Sequence, residues 1–184
     1  MHPHDPDDLA WWVIMVAVDS AANPLDDPAD AAALTRHASV LADAVVASLP
    51  GWVERSVAER YRAWRDEEPP GAVVAAARAA GSAAVADVEA PLRALLAEDP
   101  DAQRANPLAL VRQAVARPAG VLRAAGVPPV VRDPQAERLF PEDDYDLTPG
   151  GFADLDPSVH EPGLVWGAAK AHVILRRRRA EGRR

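Results

Sequence analysis

The chain contains no cysteine. This excludes a disulfide framework, a cysteine zinc site and a thiol nucleophile, and it fits a reducing compartment. Lysine is almost as scarce, with one (Lys170) among the 20 Lys and Arg residues. Aromatic residues are few: 5 Trp, 2 Tyr and 2 Phe in 184 residues. The longest uninterrupted apolar run, Leu9 to Val18, is about half the 20 or so residues that span a bilayer. Asp5, Asp7 and Asp8 precede that run, whereas a secretory leader carries basic residues there. The expectation is a soluble, cytoplasmic protein with no membrane partner.

What is present is alanine, arginine and proline. A 49% hydrophobic and 26% charged composition is that of a globular chain, long enough to bury a core of its own. The reading is one helical domain over residues 1–184, with a mobile start at 1–6, a Pro-rich acidic arm at 127–162 and a basic tail at 176–184. The net charge of −8 is strongly segmented. Residues 1–30 hold seven acids and no base, residues 141–161 again hold seven acids and no base, and residues 162–184 hold seven bases against Glu181.

Apolar periodicity predicts an all-α bundle of five to six helices. Helix one is expected over Asp7 to Ser20, apolar all round and therefore central or covered. Helix two follows over Ala29 to Leu49, with a stripe of Leu34, Ala38, Leu41, Val45 and Leu49. Pro50 and Gly51 are expected to end it. Helix three, Trp52 to Glu67, turns Val53, Val57, Tyr61 and Trp64 inward. Helix four, Ala72 to Glu98, carries the stripe Ala77, Gly81, Ala84, Val88, Leu92 and Leu95, with Pro91 expected to bend or split it. Helix five begins at a cap on Asn106 with Pro107 first, is broken at Pro118, resumes briefly to Ala125 and stops at Gly126. Helix six, Gly163 to Arg179, is expected to bury Leu164, Ala168, His172 and Leu175.

Between the last two helices lie seven prolines, at 128, 129, 134, 141, 149, 157 and 162. The same stretch holds Val130, Val131, Leu139, Phe140, Tyr145, Leu147, Phe152 and Leu155, too many large apolar groups for a solvated linker. The segment is read as an extended arm pinned onto the helical body.

No catalytic constellation emerges. No serine sits in a nucleophile elbow, and phosphate-loop and dinucleotide signatures are absent. His2 and His4 with Asp5, Asp7 and Asp8 are metal-ligand types on an unsupported tip. Glu142, Asp143, Asp144, Asp146, Asp154 and Asp156 lack calcium-loop spacing. They are read as partners of Arg104, Arg112, Arg117 and Arg123. His160 is read as a capping or turn contact near Asp156, and His172 as a partly buried structural residue. No catalytic residue, metal or cofactor is expected.

The segments Pro128-Pro129-Val130-Val131-Arg132-Asp133, Leu139-Phe140-Pro141-Glu142-Asp143-Asp144-Tyr145-Asp146-Leu147 and His160-Glu161-Pro162-Gly163-Leu164-Val165-Trp166-Gly167 resemble a family of small, uncharacterised, Ala/Arg/Pro-rich bacterial proteins. The resemblance covers about the last 60 residues and implies no activity.

The functional expectation is a non-enzymatic interaction or regulatory protein. Its partner would be another protein, with a second copy of the chain as a further option. Trp11, Trp12, Phe140, Tyr145, Phe152 and Trp166 are the candidate partner contacts, because aromatic anchors dominate interfaces. An enzyme with a pocket between body and arm is the alternative, using His160, Glu161, Tyr145 and His172. Arg176, Arg177, Arg178 and Arg179 are the candidate anion or nucleic-acid contact. They are expected to be weak, because the body is acidic and no aromatic interleaves them.

Overall fold

The computed structural model describes residues 30–132 and 140–182, and all its secondary structure there is helical. Three long helices make the body: α1 (Asp30–Arg65), α2 (Gly71–Ala97) and, later in the chain, α5 (Pro157–Glu181). Two short helices, α3 (Pro107–Gln113) and α4 (Ala116–Ala124), follow α2, and a single 3-10 turn (Phe152–Asp154) precedes α5. Expected helix one, with Trp11 and Trp12, lies outside the described residues, as do His2, His4 and Leu139.

α1 corrects the expected break at Pro50 and Gly51: helices two and three are one helix of 36 residues. Proline inside a helix costs about 3 kcal/mol. The apolar stripe nevertheless continues in phase through it. Leu41, Val45 and Leu49 are followed by Trp52, Val53, Val57 and Tyr61, all buried. Burying a large apolar side chain contributes about 1.5–3 kcal/mol, so this run of side chains outweighs one lost backbone bond. The helix ends where Asp66 turns left-handed (φ 57°) and its N–H reaches back to the Arg62 carbonyl at 2.7 Å.

α2 runs antiparallel to α1, as the cross-helix pairs Arg93–Asp43 (2.8 Å) and Arg78–Glu54 (3.7 Å) require. All six residues of its expected stripe are buried. Pro91 does not split it; the proline lies on an exposed face. By length and composition α2 is also apolar enough to cross a membrane, a property it shares with core helices of soluble proteins.

α3 starts as its sequence dictates. The Asn106 side chain accepts from the Leu108 N–H at 2.9 Å, with Pro107 at the first helical position. The break before α4 falls at Ala114 and Val115, not at Pro118. Pro118 occupies the first turn of α4, where backbone N–H groups have no intrahelical acceptor and a proline loses nothing. Gly126 then takes a positive φ of 76° and ends the run.

α5 lies antiparallel to α1. At one end Arg176 pairs with Asp30, and at the other Arg55 donates to the Leu155 carbonyl just before α5 begins. The helix starts six residues earlier than expected, because Asp156 caps it by accepting from the Ser158 N–H at 2.8 Å. His160 is therefore an exposed residue inside the helix, not a cap. The inward face is also corrected. Val159, Trp166, Ala169, His172 and Val173 are buried, whereas Leu164 is 45% exposed.

Residues 127–162 are not set apart as a distinct Pro-rich arm. The last six open α5, residues 152–154 form the 3-10 turn, and residues 133–139 lie outside the described residues. Of the expected anchors, Tyr145, Leu147 and Leu155 join the core. Val131 is 98% exposed and anchors nothing.

Candidate interaction groove

The acidic stretch before α5 is organised from within. The Asp143 side chain is buried and accepts three backbone N–H groups, from Tyr145 (3.2 Å), Leu147 (2.6 Å) and Thr148 (2.5 Å). A carboxylate that folds the following backbone around itself is the Asx-turn habit of aspartate, extended to three donors. The turn is completed by Asp146 in a left-handed conformation (φ 55°), paired with Arg132. The Arg132 guanidinium also donates to the Asp143 carbonyl. Tyr145 drops into the core and donates its hydroxyl to the Val127 carbonyl at 3.1 Å, fastening the turn to the end of α4.

Arg112, on α3, fixes the other side. Its guanidinium donates to the carbonyls of Pro149 (3.1 Å) and Gly150 (3.2 Å) and lies 4.8 Å from the Phe140 ring centroid. A single arginine thus holds the backbone and a ring at once, a geometry lysine could not supply. The result is a groove of about 560 Å³ between residues 140–148 and α3–α4. Ala109, Val115, Ala116 and Ala119 are among the residues that line it. Arg123, 3.8 Å from Asp144 and largely exposed, also lines it, as does Glu142.

A second hollow of about 480 Å³ lies between α1 and residues 146–154, lined by Trp52, Arg55, Glu59, Arg60 and Asp154. Its lining is mainly polar. Asp154 is already engaged by the N–H groups of Gly150 (2.7 Å) and Gly151 (3.0 Å).

The expected contacts divide on burial. Phe140 is half-buried at the groove, and Phe152 is half-buried against Gly163 on α5. Tyr145 and Trp166 are 1% and 8% exposed, so both are core residues and present no ring to a partner. The four residues of the enzyme reading do not come together. His160 and His172 share α5, where twelve residues at 1.5 Å separate them by roughly 18 Å. His160 and Glu161 are exposed, whereas His172 and Tyr145 are buried.

The acidic residues serve backbone and arginine as expected in kind, but the pairing differs. Of the four arginines named from sequence, only Arg123 meets this stretch as an ion pair. Arg117 pairs with Asp87 on α2 (2.6 Å), while Arg112 and Arg104 bind carbonyls. Among the described residues no group of three or more His, Asp or Glu is placed to hold a metal ion.

The basic tail is partly spent on the body. Arg176 pairs with Asp30, and Arg177 holds both oxygens of Asp99 (2.6 and 2.7 Å) with Asp101 at 3.6 Å. The Arg177 guanidinium holds the Asp99 carboxyl below the usual carboxylate range, helped by the backbone N–H of Asp101. Arg178 and Arg179 are exposed.

Sequence reasoning missed the parts played by Asp143 and Arg112. The signal for Asp143 was the run Asp143-Asp144-Tyr145-Asp146-Leu147-Thr148, where acids alternate with buried apolar residues. Arg112 carried no such signal, because its carbonyl partners are 37 and 38 residues away. Compared with family models, curated proteins and solved structures, the chain matches none.

Proposed function

We propose that this chain is a non-enzymatic helical interaction protein, and that it docks a short segment of another protein in the groove between residues 140–148 and α3–α4. The bound segment carries one large aliphatic or aromatic side chain followed by an acidic residue. One observation carries this reading: three alanines line the groove together with a ring that Arg112 packs on and the exposed Arg123. Small lining residues leave room for a bulky side chain, and filling such a space removes apolar surface from water. Among the described residues Arg123 makes one ion pair, a long one to Asp144 at 3.8 Å, which leaves its guanidinium free to take a closer carboxylate in the bidentate form arginine favours. Residues 140–156, with their single 3-10 turn, act in this reading as an arm laid on the helical body. The compartment proposed is the cytoplasm, which a cysteine-free sequence suits.

The test is a displayed peptide library selected on the full chain and counter-selected on Ala116→Trp, which fills the groove. Peptides with an apolar-then-acidic pattern are expected. Their binding should be lost in Ala116→Trp and weakened at least several-fold in Arg123→Glu. If the retained peptides bind both variants as well as the unaltered chain, the groove is not the site. Concentration-dependent dimerisation abolished by Ala116→Trp would assign the groove to a second copy instead. DNA or RNA binding lost on truncation after Leu175 would assign the function to Arg176–Arg179.

A further inference from the structure

One face of α1 carries donors that no described residue takes up. Trp52, Ser56 and Arg60 follow one another at steps of four, and all three line the hollow between α1 and residues 146–154. Trp52 is 5% exposed, and a buried tryptophan ordinarily finds an acceptor for its indole N–H. Here none of the described residues accepts from it, yet the N–H is not sealed in the core as that of Trp166 is. The hydroxyls of Ser56 and of Thr148, which comes from the other side of the hollow, are likewise without a partner among the described residues. Arg60 is half-buried and makes no ion pair with any described residue. Glu59 lines the same hollow, exposed and equally unpaired among them.

The other charged residues of the hollow are already engaged. Arg55 donates to the Leu155 carbonyl, Asp154 accepts from the N–H groups of Gly150 and Gly151, and Asp146 pairs with Arg132. What remains is a cation, an anion and three neutral donors around a space of about 480 Å³. Neighbouring positions on a helix point about 100° apart, which keeps Glu59 and Arg60 from pairing with each other. Each of them is nevertheless a surface neighbour of Ser56, three or four positions on. Trp52 lies one turn nearer the start of α1, about 6 Å along the axis from Ser56. A simple anion in this hollow would meet Glu59 as a like charge, and a simple cation would meet Arg60. A ligand with both charges on one carbon, and an oxygen farther out, satisfies every free group.

We infer that this hollow binds a free α-amino acid whose side chain ends in an oxygen acceptor, glutamate and glutamine being the simplest of that class. The ligand carboxylate takes the Arg60 guanidinium and the Ser56 hydroxyl, in charge-assisted hydrogen bonds. Its ammonium lies against the Glu59 carboxylate. Its side chain runs towards the start of α1, where the Trp52 N–H and the Thr148 hydroxyl donate to the terminal oxygen. That oxygen is the selective element. An aliphatic side chain would cover the same donors and leave them with neither water nor acceptor, which a site built to hydrogen-bond its ligand does not tolerate. The hollow and the docking groove share only Thr148 among their lining residues.

The experiment titrates the full chain calorimetrically with L-glutamate, L-glutamine, L-leucine and the deaminated analogues glutarate and glutaramate. Glutamate, glutamine or both are expected to bind, with leucine weaker by about tenfold or more. Arg60→Ala should abolish binding. Glu59→Gln should weaken the amino acid about tenfold and leave its deaminated analogue no weaker than before, since that analogue has no ammonium to lose a partner. Neither side chain bonds to a described residue, so both variants should keep the unfolding midpoint of the unaltered chain, and a loss of binding then reports the site. Absence of binding by both glutamate and glutamine up to about 10 mM would overturn the proposal. So would leucine binding as tightly as they do, unchanged binding in Arg60→Ala, or equal losses of the amino acid and its deaminated analogue in Glu59→Gln.

Discussion

Pro50 and Gly81 meet back to back where α1 crosses α2. A β-carbon added to Gly81 would lie 2.9 Å from Pro50 Cα and 3.2 Å from its carbonyl oxygen. The contact is backbone against backbone, so no side chain can move aside to make room. Gly81→Ala is therefore expected to destabilise the protein by about 1–3 kcal/mol through overpacking. This outcome opposes the gain of about 1 kcal/mol that alanine brings to a helix interior. Gly120→Ala in α4 is the control, since nothing lies within 4 Å of its added carbon. It should stabilise by about 0.5–1 kcal/mol. Urea unfolding of the two variants should move the midpoint in opposite directions.

Asp143→Ala strips three backbone N–H groups of their acceptor at once. Each buried donor left unsatisfied costs about 1–3 kcal/mol before relaxation. The turn should open, and the Tyr145, Leu147 and Thr148 amides should exchange with solvent much faster while those of α1 keep their protection. Tyr145→Phe, which removes only the bond to Val127, should cost about 0.5–1.5 kcal/mol and leave those amides protected. If both variants expose the same amides, Asp143 is not the organiser.

Gly163 and Phe152 should be energetically coupled. A β-carbon on Gly163 would come within 2.8 Å of Phe152 Cδ2, so Gly163→Ala must displace the ring. Phe152→Ala removes the obstacle. The double variant should be less destabilised than the sum of the two singles, with a coupling of about 0.5–3 kcal/mol typical of residues in contact. Strict additivity in denaturant melts would contradict the contact.

The Asp99–Arg177 pair sets an acid limit on the clasp between α5 and the end of α2. The folded-state pKa of Asp99 is depressed, first by the bond from Arg177. A depressed carboxyl adds stability above its unfolded pKa of about 3.9. That contribution is lost as pH falls through the lower folded value. The melting-temperature difference between the unaltered chain and Arg177→Ala should be constant near neutrality and vanish in strong acid. It should also shrink with added salt, because both side chains are 40% exposed or more.

Where one element repeated a clear period, the sequence was legible. The stripe of α2 and the Asn106–Pro107 start of α3 were readable from their own residues. At Pro50 a strong local breaker pointed to a loop, and the opposing signal was the phase of Leu49, Trp52 and Val53 across it. Tertiary packing used that phase. The face of α5 could not be read because residues 164–175 are apolar on nearly every side, so period does not select a face. The crossing with α1 selects Trp166 and Val173. The groove was legible only as the expectation that Phe140 would be a contact. Its walls come from α3, α4 and residues 140–148, and which of them meet is fixed by bonds such as Arg112 to Pro149 that leave no trace in spacing.

The pairing of Arg176 with Asp30 joins residues 146 positions apart. During synthesis this makes the first described helix wait for the last. α1 and α2 can associate as soon as residue 97 has emerged, yet the side of α1 that receives α5 stays uncovered until the final turn of the chain is free. At about 5–20 residues per second, that interval is on the order of ten seconds. Throughout it the apolar flank of α1 is open to chaperones and to neighbouring nascent chains. A nascent chain arrested before Trp166 should therefore be the most aggregation-prone form of the protein, more so than the α1–α2 pair is once α5 has closed over it.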